Sequence, residues 1–288
     1  MKWQGERESE NVVERSGGGR GLGGLGGRRI SIGGVVIALV ASYFLGVNPL
    51  TFLGLMTTND APAGATAGKA QPASSADPNV RFVKVVVAST EDVWVQQFKR
   101  ANAQYRMPEL VIFKGATATA CGKGAAAMGP FYCPGDEKVY IDLAFYETLK
   151  TQLGAPGDFA QAYVIAHEVW HHVQKLLGIT AKVEAARSRQ SEAQANAMSV
   201  RLELQADCFA GVWGHDSQQA KGWLQSGDLE EALNAASHIG DDALQRQSRG
   251  TVRPESFTHG SSAQRMAWFK RGFDSGQVAQ CDTFGSNQ

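Results

Sequence analysis

The chain has 288 residues, in which 28 Lys plus Arg balance 28 Asp plus Glu. Such a length supports one sizeable core and excludes a pair of large domains. A formal net charge of zero exerts no long-range pull on a polyanion, which sets nucleic-acid binding aside.

Residues 1–29 are polar and glycine-rich, show neither helical nor strand periodicity, and read as a flexible cytoplasmic tail. From Ile30 to Asn59 there is no charged residue. The stretch Ile30 to Val47 is long and apolar enough to cross a bilayer, so residues 30–56 are expected to be a single-pass transmembrane anchor. Lys2, Arg7, Arg15, Arg20, Arg28 and Arg29 precede it, and only Lys69 follows in a comparable distance. By the positive-inside rule the N-terminus then lies in the cytoplasm and the bulk of the chain outside, on the periplasmic side of a bacterial inner membrane. A signal peptide cleaved near Ala61-Pro62-Ala63 is the closest alternative, although the apolar stretch exceeds a typical h-region. Residues 57–78 are rich in Ala, Pro, Ser, Thr and Gly and read as a linker.

The globular domain is expected at residues 79–288. Its periodicities predict a helix over Asp92 to Tyr105, then strands over Leu110 to Phe113 and Lys138 to Asp142. Helices follow over Asp158 to Leu177, Val183 to Trp213, Leu229 to Ala236 and Ala263 to Phe273. Strands first and helices after describe an α+β domain, mainly helical, with a small β-sheet. The cysteines are Cys121, Cys133, Cys208 and Cys281, with no C-x-x-C pair, which argues against a cysteine zinc knuckle or a dithiol redox site. Four cysteines allow three pairings. Cys121 with Cys133 closes a short loop containing Gly122, Gly124 and Gly129, which turns easily. Cys208 is then left to tie the C-terminal tail through Cys281.

Chemistry concentrates at His167-Glu168-Val169-Trp170-His171. Two histidines four apart share one face of a helix and can hold one Zn²⁺, while Glu168 beside them is placed to take a proton from a metal-activated water. The preceding turn, Ala162 to Ala166, is apolar nearly all round, and a buried helix does not carry two His and a Glu without partners. A catalytic zinc needs a third protein ligand, and His172, Glu184, Glu192, Glu203, Asp207 and His215 are the candidates. His172 points about 100° around the helix from His171, which places it poorly. Glu203 is preferred because Asp207 follows one turn later, on a face continued by the small residues Ala210, Gly211 and Gly214. Glu203 is then the ligand, and Asp207 orients a ligand histidine through its other nitrogen. The small residues are expected to let this helix approach the His167 helix.

With these residues in place the chain resembles the putative neutral zinc metallopeptidase family of bacteria, within the wider H-E-x-x-H zincin group. The resemblance runs through Arg7 to Val12, Gly129 to Pro134, Asp158 to Val164, Glu203 to Cys208 and Phe257 to Arg265. It implies a membrane-anchored zincin fold, peptidase chemistry and a Zn²⁺ cofactor. Trp170 departs from it, standing where the family pattern has a small residue, usually Gly, and a ring there is expected to narrow the cleft or alter helix packing.

For the developing oxyanion, His259 in a loop before Gly260 is the catalytic donor we expect, against a purely local capping role; Tyr132 and Tyr140 are weaker candidates. His215 and His238 read as structural. The strand Leu110 to Phe113 is a candidate to pair with an extended substrate. The expected function is zinc-dependent peptide hydrolysis with Glu168 as general base, and the expected partners are a peptide or protein substrate and the membrane. Two other readings remain open: an inactive zincin-fold module that binds a partner at the membrane, and a zinc hydrolase acting on a non-peptide bond.

Overall fold

The structure is a computed structural model and describes residues 1–15, 70–125 and 129–285. The expected anchor at 30–56 lies outside the described residues, as does the linker up to residue 69. Among the described residues no helix is long and apolar enough to cross a membrane.

Strands β1 (Val12–Arg15), β2 (Ala70–Pro72), β3 (Glu109–Phe113), β6 (Phe131–Cys133) and β7 (Lys138–Asp142) form one sheet in the order β2-β1-β3-β7-β6. The three central strands run parallel and the two edges antiparallel. Side chains alternate across it as the pleat requires. Val12, Leu110, Ile112, Val139 and Ile141 enter the main core with the helices. Val111, Phe113, Cys133 and Tyr140 face the other way into a smaller cluster beside Phe131. A separate hairpin, β4 (Ala116–Thr119) with β5 (Gly122–Ala125), packs near that second face, where a Cβ on Gly124 would strike the Phe131 ring.

The flexible tail is therefore a correction for residues 1–15. Val12–Arg15 is an internal strand, paired with β2 on one side and β3 on the other. Its polar composition hid it, because its pattern closes only when distant strands are present. The same holds for the end of the expected linker, where Ala70–Pro72 is the edge strand.

Among the described residues eight helices follow the N-terminal strands: α1 (Pro78–Arg100), α2 (Ala144–Thr151), α3 (Asp158–Leu176), α4 (Ile179–Arg187), α5 (Glu192–Lys221), α6 (Asp228–His238), α7 (Asp241–Arg249) and α8 (Ser262–Ser275). α1 begins well before the expected Asp92. Asp77 caps it by accepting from the Asn79 amide at 2.8 Å, and Pro78 stands in its first turn, so capping overrides the strand preference of the valine-rich run Val83 to Val87. The helix expected over Val183 to Trp213 is two helices. Ser191 and Gln194 form a capping box that restarts the chain after α4. Both expected disulfides are present, Cys121–Cys133 and Cys208–Cys281.

The small face of α5 serves a different neighbour from the expected one. A Cβ on Gly211 would come within 2.1 Å of the Phe269 carbonyl oxygen, and one on Gly272 within 1.8 Å of the Cys208 carbonyl oxygen. These glycines let α5 and α8 touch backbone to backbone; α3 meets α5 through larger side chains. Trp170 likewise points away from the histidines. Its fully buried ring stacks on Phe209 and meets Trp94 edge-on, so it fills the core between α1, α3 and α5 and does not narrow a cleft. Gly272→Ala is expected to destabilise the domain by about 1–3 kcal/mol or more through overpacking, lowering Tm by about 2–4 °C per kcal/mol in thermal unfolding.

Candidate active site

α3 supplies His167, Glu168 and His171, and α5 supplies Glu203 and Asp207. The acceptors around each imidazole fix its orientation. His167 donates its Nδ1–H to Asp207 Oδ1 at 2.9 Å, and in its protonated form it donates Nε2–H to Glu203 Oε2 at 3.1 Å, the nitrogen that a metal would take over on displacing that proton. His171 donates its Nδ1–H to Gln174 Oε1 at 2.9 Å, and its Nε2 lies 3.6 Å from the same Glu203 oxygen. Gln174 is itself held as an acceptor, because its Nε2 donates to the Leu202 carbonyl and to Gln205 Oε1.

One atom each of His167, His171 and Glu203 therefore converges within 4.8 Å. A tetrahedral zinc with bonds of about 2.0–2.1 Å holds its donors about 3.3 Å apart, so this set fits the metal in atom type, direction and spacing. Glu184 and Glu192 do not join it. A second acidic group, Asp158, Asp228 and Glu231, lies elsewhere and engages the Met1 amine.

The charges are arranged around Asp207, which is fully buried. It accepts from His167, from the Tyr163 hydroxyl at 2.5 Å, and from Arg265 at 2.8 and 2.9 Å. Burial would raise its pKa, but the Arg265 and His167 charges hold it down at about 2. Burial would depress His167, yet the Asp207 and Glu203 carboxylates override it and raise its pKa to about 10 when no metal competes. Glu168 moves the other way from Asp207. Burial raises its pKa against the opposing charges of His171 and His167, which suits a group that must both take and release a proton.

His259 sits on the loop before α8, with its ring 44 % exposed. Asp241 organises that loop by accepting the amides of Thr258, His259 and Gly260 at 2.7, 2.7 and 3.0 Å. Its other oxygen lies 3.4 Å from His259 Nδ1. Gly260 has φ +94°, and a Cβ there would meet Leu204 and Val200 at 3.2 Å, so glycine allows the loop to close on α5 beside Glu203. The His259 charge lowers the pKa of both Glu203 and Glu168, which brings it to the rim of the same site.

The other expected donors are engaged elsewhere. His172 Nε2–H donates to the Arg106 carbonyl at 2.6 Å, so its Nδ1 accepts from the Tyr132 hydroxyl at 3.0 Å. It braces α3 against β6. Tyr140 is buried on the far face of the sheet and donates to Asp136 at 2.7 Å. His215 bonds the Phe273 carbonyl at 2.7 Å and His238 the Asn234 carbonyl at 2.9 Å, both structural contacts. Leu110 to Phe113 is corrected as a substrate partner, because β3 is already paired on both sides. Gln174, Tyr163, Arg265 and Asp241 were missed. Gln174 alone carried a local signal, one helical turn past His171.

The profile of the family described as putative neutral zinc metallopeptidase matches residues 1–284. The chain is 54% identical over 293 aligned residues to the uncharacterized protein YpfJ of Escherichia coli (strain K12), covering 100% of both chains. It is 41% identical over 223 residues to an uncharacterized protein of Mycobacterium tuberculosis (strain ATCC 25618 / H37Rv), covering 74% of each. No solved structure matches the chain.

Gln174→Ala is expected to weaken zinc binding by about 10–100-fold in a competition titration while the fold persists, because it frees the His171 ring to turn. The metal-free protein is expected to lose stability as pH rises. The folded His167 pKa of about 10 exceeds the unfolded value of about 6.5. Its contribution is thus complete below about pH 6.5 and gone above about 10, and chemical denaturation across that window measures it. Zinc-loaded protein should lack this dependence, since the ligand imidazole is then neutral throughout.

Proposed function

We propose that this chain, which belongs to the putative neutral zinc metallopeptidase family, hydrolyses peptide bonds with Glu168 as its general base. The observation that carries the reading is that Asp207 and Gln174 each engage a histidine Nδ1, which leaves both Nε2 atoms turned toward Glu203 with Glu168 on the same helix. Bound zinc supplies the charge that acidifies a water and polarises a carbonyl. Glu168 then takes the water's proton, for which its raised pKa makes it a stronger base than a free carboxylate, and returns it to the leaving amine. His259 Nδ1 lies 3.0 Å from the Thr258 hydroxyl, and accepting from it leaves Nε2–H free to donate to the developing oxyanion.

An extended peptide has a place to pair. β6 is an edge strand that pairs only with β7 among the described strands, and Tyr132 on it touches His172, the neighbour of His171. Substrate backbone adding to that edge would run beside the Glu168 face of α3, and such strand addition gives affinity without demanding one sequence. An inert binding module has no use for a half-buried Glu168 with a raised pKa beside the two histidines. The two disulfides support an oxidising, extracytoplasmic compartment.

A peptide-library assay on the zinc-loaded protein tests the reading. Glu168→Gln should retain zinc and lower kcat by at least about 10²–10⁴. Full turnover in that variant would refute the mechanism. His259→Ala should lower kcat by about 10²–10³ with zinc content and Tm near wild type. If that variant unfolds instead, the Asp241 clamp is what the residue serves.

A further inference from the structure

A hydrogen-bond chain leads from the metal site to the C-terminal disulfide. Gln174 Oε1 accepts the Nδ1–H of His171 at 2.9 Å. An amide can meet that proton with its oxygen or, turned over, oppose it with its NH₂ group. Two acceptors keep Gln174 the right way round. Its Nε2 donates to the Leu202 carbonyl at 2.7 Å and to Gln205 Oε1 at 3.1 Å. Gln205 is a second amide with the same ambiguity. Its Nε2 donates to the Cys281 carbonyl at 3.1 Å, and a carbonyl can only accept. The order His171, Gln174, Gln205, Cys281 therefore has one direction, set at its far end by a backbone oxygen that belongs to neither α3 nor α5. Both amides are buried, so turning either one over would set donor against donor away from solvent.

The Cys281 carbonyl keeps its place by a small number of ties. The short turn Val278–Cys281 lies in no sheet. Arg271 reaches Gln280 at 3.1 Å from an exposed position, and the Thr283 hydroxyl donates to the Arg201 carbonyl at 2.7 Å. The covalent tie is Cys208–Cys281, both of whose residues are buried. Cys208 stands three residues after Gln205 on α5, so the disulfide and the Gln205 hydrogen bond grip the same residue from one face of one helix.

We propose that Gln205 is a positioning residue for the metal site and that the Cys208–Cys281 disulfide sets zinc affinity through it. The proposal rests on the zinc site of the reading above and not on peptide cleavage. Forming the bond removes two electrons and two protons from the paired thiols, which a disulfide oxidant takes up by becoming a dithiol. With the thiols unjoined, the Cys281 carbonyl is held loosely, Gln205 and then Gln174 gain freedom to turn, and His171 is presented less firmly to the metal. Metal loading then follows oxidation, and a chain kept in a reducing compartment stays poorly metallated.

Competition titration of the full chain against a chromophoric chelator reads the zinc affinity. Gln205→Met, which keeps the side-chain length and removes both polar atoms, should weaken binding by about 10-fold, the low end for partners that orient metal-bound histidines. The Cys208→Ser/Cys281→Ser pair should do the same, while Cys121→Ser/Cys133→Ser keeps wild-type affinity. Combining Gln205→Met with Cys208→Ser/Cys281→Ser should add little to either loss, because both cut one chain. Unchanged affinity in Gln205→Met overturns the positioning role, and losses that multiply in the combined variant overturn the route through the disulfide. Where the Cys208→Ser/Cys281→Ser pair does not fold, the oxidised and phosphine-reduced forms of the Cys121→Ser/Cys133→Ser chain make the comparison, and equal affinities overturn the proposal. In the Co²⁺-substituted chain Gln205→Met should shift the visible ligand-field bands with Tm near wild type. Unshifted bands with a lowered Tm assign Gln205 to packing alone and overturn its positioning role. A wild-type chain that cleaves no peptide while these affinity losses appear sinks the peptidase reading and supports this one.

Discussion

The fully buried carboxylate of Asp207 is the constraint on which the rest of the site depends. A charge with no exposure is tolerated only when it is paired and hydrogen-bonded on every side, and removing one partner of such a pair typically costs about 3–5 kcal/mol. Asp207 meets the requirement by drawing on three helices: Tyr163 and His167 from α3, and Arg265 from α8, while it stands on α5. The backbone contact of Gly211 and Gly272 brings α8 close enough for Arg265 to reach. Packing and charge thus depend on each other. The helices must be tight for the network to close, and the network fixes which face of α3 turns toward α5.

The same arrangement balances the charge of the site. The buried carboxylate of Asp207 and the half-buried one of Glu203 face one permanent cation, Arg265. A proton on His167 offsets the remaining charge, and its raised pKa is the expression of that balance. A zinc ion held at His167 Nε2 would displace that proton, so metal affinity is expected to rise with pH.

The convergence of His167, His171 and Glu203 was legible in the sequence because it obeys helical geometry. His167 and His171 share a face by spacing, and Glu203 was distinguished from Glu184 and Glu192 by Asp207 one turn on. The short glycine-bearing loop pointed to Cys121–Cys133, and Cys208–Cys281 followed as the pair left over. What stayed hidden depends on contacts between segments far apart. Arg265 reads as one more surface arginine until α8 docks, and Asp241 reads as a helix-start acid until the His259 loop folds onto it. The small face of α5 was seen but given the wrong neighbour, since smallness reports that a helix comes close and not which one. Trp170 was judged from its place in the motif, whereas position 170 lies on the face of α3 turned to Trp94 and Phe209. β1 escaped for the plainest reason: a four-residue strand with two valines has no period to detect.

Arg7 and Arg15 show how a composition rule and a fold can weigh the same residues differently. The positive-inside count drew on Arg7 and Arg15 as free cytoplasmic charges. In the fold they are engaged. Arg7 reaches Glu91, Asp92 at 2.7 Å and the Ala88 carbonyl at 2.8 Å, and Arg15 bonds the Ala118 carbonyl at 3.0 Å with its guanidinium 5.7 Å from the centre of the Tyr140 ring. Charges already paired with the domain act as parts of the domain. The rule weighs loops by Lys and Arg because those groups resist transfer, and it holds for segments that have no other structure to join. A segment that supplies an internal strand and donates to the buried Glu91 is no longer a free loop, so Arg7 and Arg15 are not the unengaged charges that the rule counts.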